Sequence, residues 1–315
     1  MTWNIFRHTI VYGVALAGLA VVGGPQAHAT PYAFAQNQST NFQILVDSGT
    51  VVIQSASRNT INTANYNGSG TSFADPVAVP AASDAAQATA GPGPFPGENN
   101  YGVGAGLAGG MVGTRADSVT SAGNPFVANG GTVTPAGGTG TASVNNVAEG
   151  HGSGASTGNS DAQNTANALF TIDVGGGGAT LNFAFSDTIN LMASTDTLGE
   201  SAIAALANTF TVQDSTGNVI FEFTPNGTSG AGDPFNINGS VSSNSGSLAA
   251  PISNSGAFAS PITSLLAPGT YTVGLRSGST ENILGVAVPE PASLLLLGGG
   301  LVGLGLLQLR RRRRD

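Results

Sequence analysis

Cysteine is absent from all 315 residues, which excludes a disulfide framework and thiolate metal sites and leaves any core to hold by packing alone. Lysine is absent as well, so every basic side chain other than histidine is an arginine. Arg7 lies near the start, Arg310, Arg311, Arg312, Arg313 and Arg314 lie at the end, and only Arg58, Arg115 and Arg276 lie between. Residues 30–291 thus set 3 arginines against 16 acidic residues, a net charge of −13 (3 − 16). Such a body repels phosphate backbones and anionic membranes, so nucleic acid is excluded as a partner. Aromatic platforms of the kind that line sugar-processing clefts are also scarce. The one tryptophan, Trp3, lies in the first thirty residues, and beyond them the tyrosines are Tyr32, Tyr66, Tyr101 and Tyr271.

What is present is concentrated first at the two ends. Arg7 and His8 precede an apolar run from Ile10 to Val22, which Gly23, Gly24 and Pro25 interrupt. Ala27-His28-Ala29 then places small residues at −3 and −1 of a cleavage site, the layout of a secretory signal peptide over residues 1–29. The run of 13 residues falls short of the ~20 that span a bilayer, which favours cleavage by signal peptidase over a permanent anchor. At the other end, Ala292 to Leu309 is 18 residues of mostly Leu and Gly. As a helix it would extend ~27 Å, enough to cross a hydrocarbon core. The arginines Arg310–Arg314 behind it would stop transfer and hold the terminus in the cytoplasm.

Between body and helix stands Val288-Pro289-Glu290-Pro291, a stiff extended element that cannot join the helix after it. Short motif, apolar helix and basic cluster, in that order, resemble the PEP-CTERM sorting signal of Gram-negative bacteria that make exopolysaccharide. The resemblance rests on Pro289, Glu290, Pro291, the Ala-Ser that follows, the Leu/Gly helix and the terminal arginines. It implies passage through the export translocon, transient anchoring in the inner membrane and removal of the tail by exosortase. The final address it implies is the cell surface or the extracellular matrix. The alternative is a plain single-pass anchor, for which the helix and arginines alone suffice.

The body, residues 30–288, reads as strands and turns. Phe42–Val46, the turn Asp47-Ser48-Gly49 and Thr50–Ile53 form one such unit. From residue 68 to 159 the chain is dominated by Gly, Ala, Ser, Thr, Asn and Pro, a composition that predicts loop or irregular covering. Order is expected to return at Ala168 with Leu169–Val174, followed by Ala179–Ala193 as one long strand or two with a bend. In the latter, Leu181, Phe183 and Phe185 share a face at period two. Glu200 to Ala207 reads as a helical turn or a connection. Phe210–Gln213, the turn Asp214–Asn218 and Val219–Phe223 form a hairpin. Ala267–Leu275 reads as a turn into an edge-adjacent strand, and 282–288 as a separate last strand. Together these predict an all-β antiparallel sandwich with long Gly/Ala/Ser/Asn-rich loops.

Candidates for chemistry are few. Gly150-His151-Gly152-Ser153-Gly154 contains the last histidine of the chain, but a nucleophile elbow needs glycine where His151 and Ala155 stand. Gly104, Gly106 and Gly109 satisfy G-x-G-x-x-G without the flanking strand and helix that make a phosphate cradle. Asp187, Asp196 and Glu200 are candidates for calcium through hard oxygen ligands, although their spacing matches no EF-hand loop. No other cofactor is expected. Two functions follow: an exported, non-catalytic structural or adhesive protein of exopolysaccharide, biofilm or floc, or a surface-sorted hydrolase of polysaccharide or peptide.

Overall fold

The computed structural model describes residues 30–78, 84–121, 124–134, 142–172, 177–224, 239–244, 246–260, 262–286 and 300. The expected signal peptide 1–29, the motif Pro289-Glu290-Pro291 and the arginine cluster lie outside these residues, as does the expected helix 292–309 apart from Gly300. No helix among the described residues is long and apolar enough to cross a membrane.

The body Ala29–Val286 is a unit in itself, built almost entirely of strands. In chain order these are β1 (Tyr32–Ser48), β2 (Thr50–Tyr66), β3 (Ser69–Ala78), β4 (Asp84–Gly93), β5 (Val112–Ser121), β6 (Phe126–Ala128), β7 (Thr132–Thr134) and β8 (Ala142–His151). They continue with β9 (Thr157–Ile172), β10 (Thr180–Ser194), β11 (Ser201–Asp214), β12 (Val219–Phe223), β13 (Ser240–Asn244), β14 (Ile252–Ala259) and β15 (Gly269–Leu284). One helical turn, α1 (Ala105–Ala108), interrupts the loop between β4 and β5. One sheet has the order β14-β10-β1-β8-β5-β4, with β6 beside β1. The other has the order β12-β11-β15-β9-β2-β3, with β13 beside β11 and β7 beside β2. Pairing is antiparallel apart from the three-residue pairings of β6 and β7.

Strand β1 and strand β2 are the expected pair around Asp47-Ser48-Gly49, yet they do not pair with each other. β1 lies between β10 and β8, whereas β2 lies between β9 and β3 in the opposite sheet. The chain changes sheets at Gly49, whose φ is +75° and where a Cβ would meet the Gly178 carbonyl oxygen at 2.0 Å. A side chain there has neither the backbone angle nor the space.

The inner faces meet in three zones along the strands. At one end Phe210 stacks against Phe42, Phe183, Phe185 and Phe223 with ring centroids 4.9–5.9 Å apart. Across the middle runs a belt of buried amides and hydroxyls that bonds sheet to sheet. Asn37 donates to Asn208 and to Ser277, Asn146 donates to the same Ser277, and Asn164 donates to Asn146 while accepting from Thr60 and Thr120. Burying these groups costs little because each finds a hydrogen-bond partner, most of them in the facing sheet. Beyond the belt the sheets meet through small side chains, among them Ala33, Ala35, Ala116, Ala148, Ala162, Ala202 and Ala204.

Three expectations from the sequence require correction. Residues 68–159 hold β3, β4, β5, β6, β7, β8 and the start of β9, because alternating Ala, Ser and Asn fit a close sheet-to-sheet contact that larger residues would overfill. Residues 201–207, read as a helical turn or a connection, open β11, where Ala202, Ala204 and Leu206 face inward at period two. Residues 282–284 of the expected last strand continue the strand before them as β15, with 287–288 outside the described residues; β15 is central rather than edge-adjacent, flanked by β9 from Gly269 and by β11 from Tyr271 to Leu284. The stretch expected at Ala179–Ala193 is the single strand β10 (Thr180–Ser194), and the hairpin at Asp214–Asn218 forms as expected.

Candidate functional site

The largest fully buried side chain among the described residues is charged. Arg115 of β5 lies on the outer face of its sheet beneath the glycine-rich loop 94–111. Its Nε donates to Glu149 Oε2 of β8 at 2.8 Å, its Nη1 donates to the Asn100 carbonyl at 2.9 Å, and Asp117 Oδ2 lies 3.5 Å from Nη1. Glu149 further accepts from Tyr32 Oη at 2.9 Å and from the backbone amides of Gly106 and Leu107 at 3.0–3.2 Å. The three charges are wholly buried. The G-x-G-x-x-G stretch therefore does cradle an anion, but the anion is the chain's own carboxylate. What the sequence did not reveal was Glu149, 40 residues downstream of Gly109, which folds this loop down over the sheet.

Around this cluster the ionisations follow burial. Desolvation pushes the Asp117 carboxyl up to about 6, with Arg115 pulling the other way. Burial, and then the negative charges of Glu149 and Asp117 respectively, raise Tyr32 and Tyr101 well above the usual phenol range, so both stay donors. Glu149 has its lone pairs occupied and no solvent access, which suits a structural ion pair rather than an acid or base offered to a substrate.

On the inner side, Glu281 of β15 reaches across the sandwich to Gly150, where a Cβ would lie 2.2 Å from its Oε2. Burial pushes its carboxyl up to about 8; Ser160 opposes the rise and the nearby Glu149 adds to it. Neither oxygen makes a well-aligned hydrogen bond, and Ser160 Oγ is turned to the Arg115 carbonyl at 2.7 Å. Burial thus favours the protonated form of this side chain over its carboxylate.

The expected site residues divide as follows. Asp187 lies inside the sandwich on β10, accepting from Ser39 Oγ at 3.1 Å. Seven residues of extended strand, roughly 23 Å, separate it from Ser194 at the end nearest Asp196. The three acids therefore do not converge, and no cluster of three metal-binding side chains occurs among the described residues. Asp196 and Glu200 do meet, in the turn between β10 and β11. Glu200 Oε2 accepts from the amides of Asp196 and Thr197 at 2.8 and 2.9 Å, while Asp196 accepts from the amide and hydroxyl of Thr30. His151 ends β8 with Nδ1 against the Met111 carbonyl and its ring edge-on to Tyr32, far from the strand–turn–helix setting of a hydrolase. Ala27 and Ala29, Pro289, Glu290 and Pro291, and Arg310–Arg314 lie outside the described residues.

With the body closed in this way, the informative feature is the tail. Residues 287–313 match the family model of the PEP-CTERM protein-sorting motif, a span that contains Pro289-Glu290-Pro291, the apolar run and Arg310–Arg313. The chain thus carries a protein-sorting motif after its all-β body. The chain is a PEP-CTERM sorting domain-containing protein, which implies export and processing by exosortase. Comparison with curated proteins and with solved structures gives no match, so the role of the body has to be argued from its own chemistry.

Proposed function

We propose that the mature body is a non-catalytic structural or adhesive component of the cell surface or extracellular matrix, delivered there by its sorting tail. The observation that carries this reading is the sorting motif at residues 287–313. It follows a body whose buried charged cluster, Arg115, Asp117 and Glu149, is spent on its own fold. The outer face of β11 and β15 carries Thr209, Thr211, Thr272 and Asn282, and the edge strand β14 exposes Ser253, Asn254 and Ser255. Such hydroxyls and amides suit a hydrated polysaccharide setting, where hydrogen bonds are exchanged with water and sugar alike.

The test is the C-terminal peptide of the protein from its producing cell, by mass spectrometry, with and without exosortase. A mature chain ending near Pro289-Glu290-Pro291 that reaches the surface only when exosortase is present supports delivery. If Leu294–Arg314 stay attached and the protein remains in the inner membrane, the tail is only an anchor and the proposed address falls. The isolated mature protein is then mixed with the cell's extracellular polysaccharide: retention without turnover supports the matrix role, and release of sugars or peptides replaces it with hydrolysis.

A further inference from the structure

At the start of β1, the chain presents Thr30 to two acids that have no arginine or histidine partner among the described residues. The antiparallel register of β1 and β10, Tyr32 opposite Ser194, carries on to place Thr30 opposite Asp196. Thr30 N lies 3.0 Å from Asp196 Oδ1 and the Thr30 hydroxyl donates to Oδ2. Glu200 sits behind Asp196, only 2 % exposed, and its Oε1 is buried without a partner. The two carboxyls also interact with each other. An acidic pair with an orphaned buried oxygen is one positive charge short.

We infer that this charge is the α-ammonium of Thr30, created when the leader is cut off after Ala29, and that the Asp196–Glu200 pair is a built receptor for the new N-terminus. The inference rests on the reading of residues 1–29 as a signal peptide. Water adds across the Ala29–Thr30 peptide bond, leaving a carboxylate on the leader and an ammonium on Thr30. One amide hydrogen becomes three, and a neutral donor becomes a cation. The first N–H keeps its bond to Asp196, and the added hydrogens and charge are placed beside the Asp196–Glu200 pair. Charge-assisted bonds of this kind are about twice as strong as neutral ones. The strand that begins here is held on both sides, by β10 and β8, so the lock forms at the edge of the central pairing. From β8, His151 stands nearby against Tyr32, but its Nδ1 is turned to Met111. Removal of the leader therefore does more than release the protein: it completes the corner that fixes the first strand.

Because the chain contains no lysine, the Thr30 amine is the one primary amine of the mature protein, and an amine-selective acylating reagent reads it alone. The mature protein is isolated from the producing cell, its first residue is identified by mass spectrometry, and its acylation rate is followed from pH 6 to 10 in the folded and the urea-unfolded state. The expected result is a chain beginning at Thr30 whose folded amine titrates a pH unit or more above the ~7.7–8.0 of a free terminus, making acylation at pH 7 about tenfold slower than in urea. Asp196→Asn and Glu200→Gln should each bring the folded amine back toward the ordinary range. A mature chain that begins elsewhere overturns both the inference and the assigned cleavage position, leaving the sorting reading intact. A chain that begins at Thr30 but whose amine titrates ordinarily when folded overturns the inference alone, without recourse to any variant. Stabilisation by calcium that Glu200→Gln abolishes would also overturn it, since a metal ion and an ammonium compete for the same two carboxylates.

Discussion

Glu281 is the clearest place to perturb the body, because a buried acid with no partner ties stability to pH in a direction opposite to most carboxylates. Its carboxyl is raised from 4.5 to about 8 in the folded chain. Below pH 4.5 it is protonated in both the folded and the unfolded states, and its contribution to stability is fully present. As pH rises, the unfolded chain releases the proton while the folded chain keeps it, so stability falls until about pH 8 and is level above that. The interval is about 3.5 pH units at about 1.4 kcal/mol each, a loss on the order of 5 kcal/mol out of the ~5–15 kcal/mol that holds a typical domain together. Glu281→Gln removes the proton equilibrium but leaves two amide hydrogens without partners, at a cost of roughly 1–3 kcal/mol. The variant should therefore be the less stable protein at pH 4.5 and the more stable one at pH 8, by roughly 2–4 kcal/mol, once the two effects are combined. Urea unfolding of both proteins in half-unit steps across this range measures the difference directly, and groups common to both, such as Asp117 with its carboxyl near 6, cancel. A difference that stays constant from pH 4.5 to 8 would refute the assignment of Glu281 as a buried neutral acid.

The remaining predictions concern the fold. Arg115→Met leaves Glu149 and Asp117 without their cation in a wholly buried cluster and should cost about 3–5 kcal/mol, read by urea unfolding, with loop 94–111 becoming sensitive to proteolysis first. Gly49→Ala places a Cβ on the Gly178 carbonyl in a left-handed conformation, so a loss of at least ~2 kcal/mol and a drop in thermal midpoint are expected. Phe210→Ala empties the centre of the aromatic zone between Phe42, Phe183, Phe185 and Phe223, and calorimetry should register about 3–5 kcal/mol.

How much of this was legible depended on side-chain size. Where the inner face is aromatic or aliphatic, as at Leu181, Phe183 and Phe185 or at Phe210 and Val212, the period of two is plain and the strands were found. Where the inner face is Ala, Ser or Asn, the outer face is polar too, and no contrast remains for alternation to reveal. β8, with Asn146, Ala148 and Gly150 turned inward, and the first half of β9, with Ser160, Ala162 and Asn164, are such strands. The hairpin at Asp214 was legible because its turn chemistry is local: the Thr216 hydroxyl, with the amides of Thr216 and Asn218, holds that carboxylate down to about 2. The charged cluster was not, because Glu149 joins Arg115 and Asp117 only through the pairing of β5 with β8, and that pairing leaves no mark in either segment alone. The sorting motif was legible because its residues are contiguous in sequence.

The placement of the arginines bears on what a matrix protein of this kind can hold. Of the three in the body, Arg115 and Arg58 are buried, and Arg276 alone is exposed, bonded to Gln163 at 3.1 Å. Glu98, Asp196 and Glu222 are exposed as well, and Asp47, Asp161 and Asp214 partly so. The described surface therefore carries carboxylates with almost nothing to balance them, and it repels an anionic polymer at distances up to the ~8 Å over which salt leaves charges visible. On the proposed role, the polymer that meets this surface directly is a neutral one, engaged through Ser, Thr and Asn. An acidic polysaccharide can be held only with divalent cations between the two sets of carboxylates. These cases part in a single pull-down: retention on a neutral polymer is indifferent to a chelator, and retention on an acidic one is lost when the chelator is added. Acidic-polymer binding that survives chelation would require a cationic surface, which the burial of Arg58 and Arg115 denies to the body.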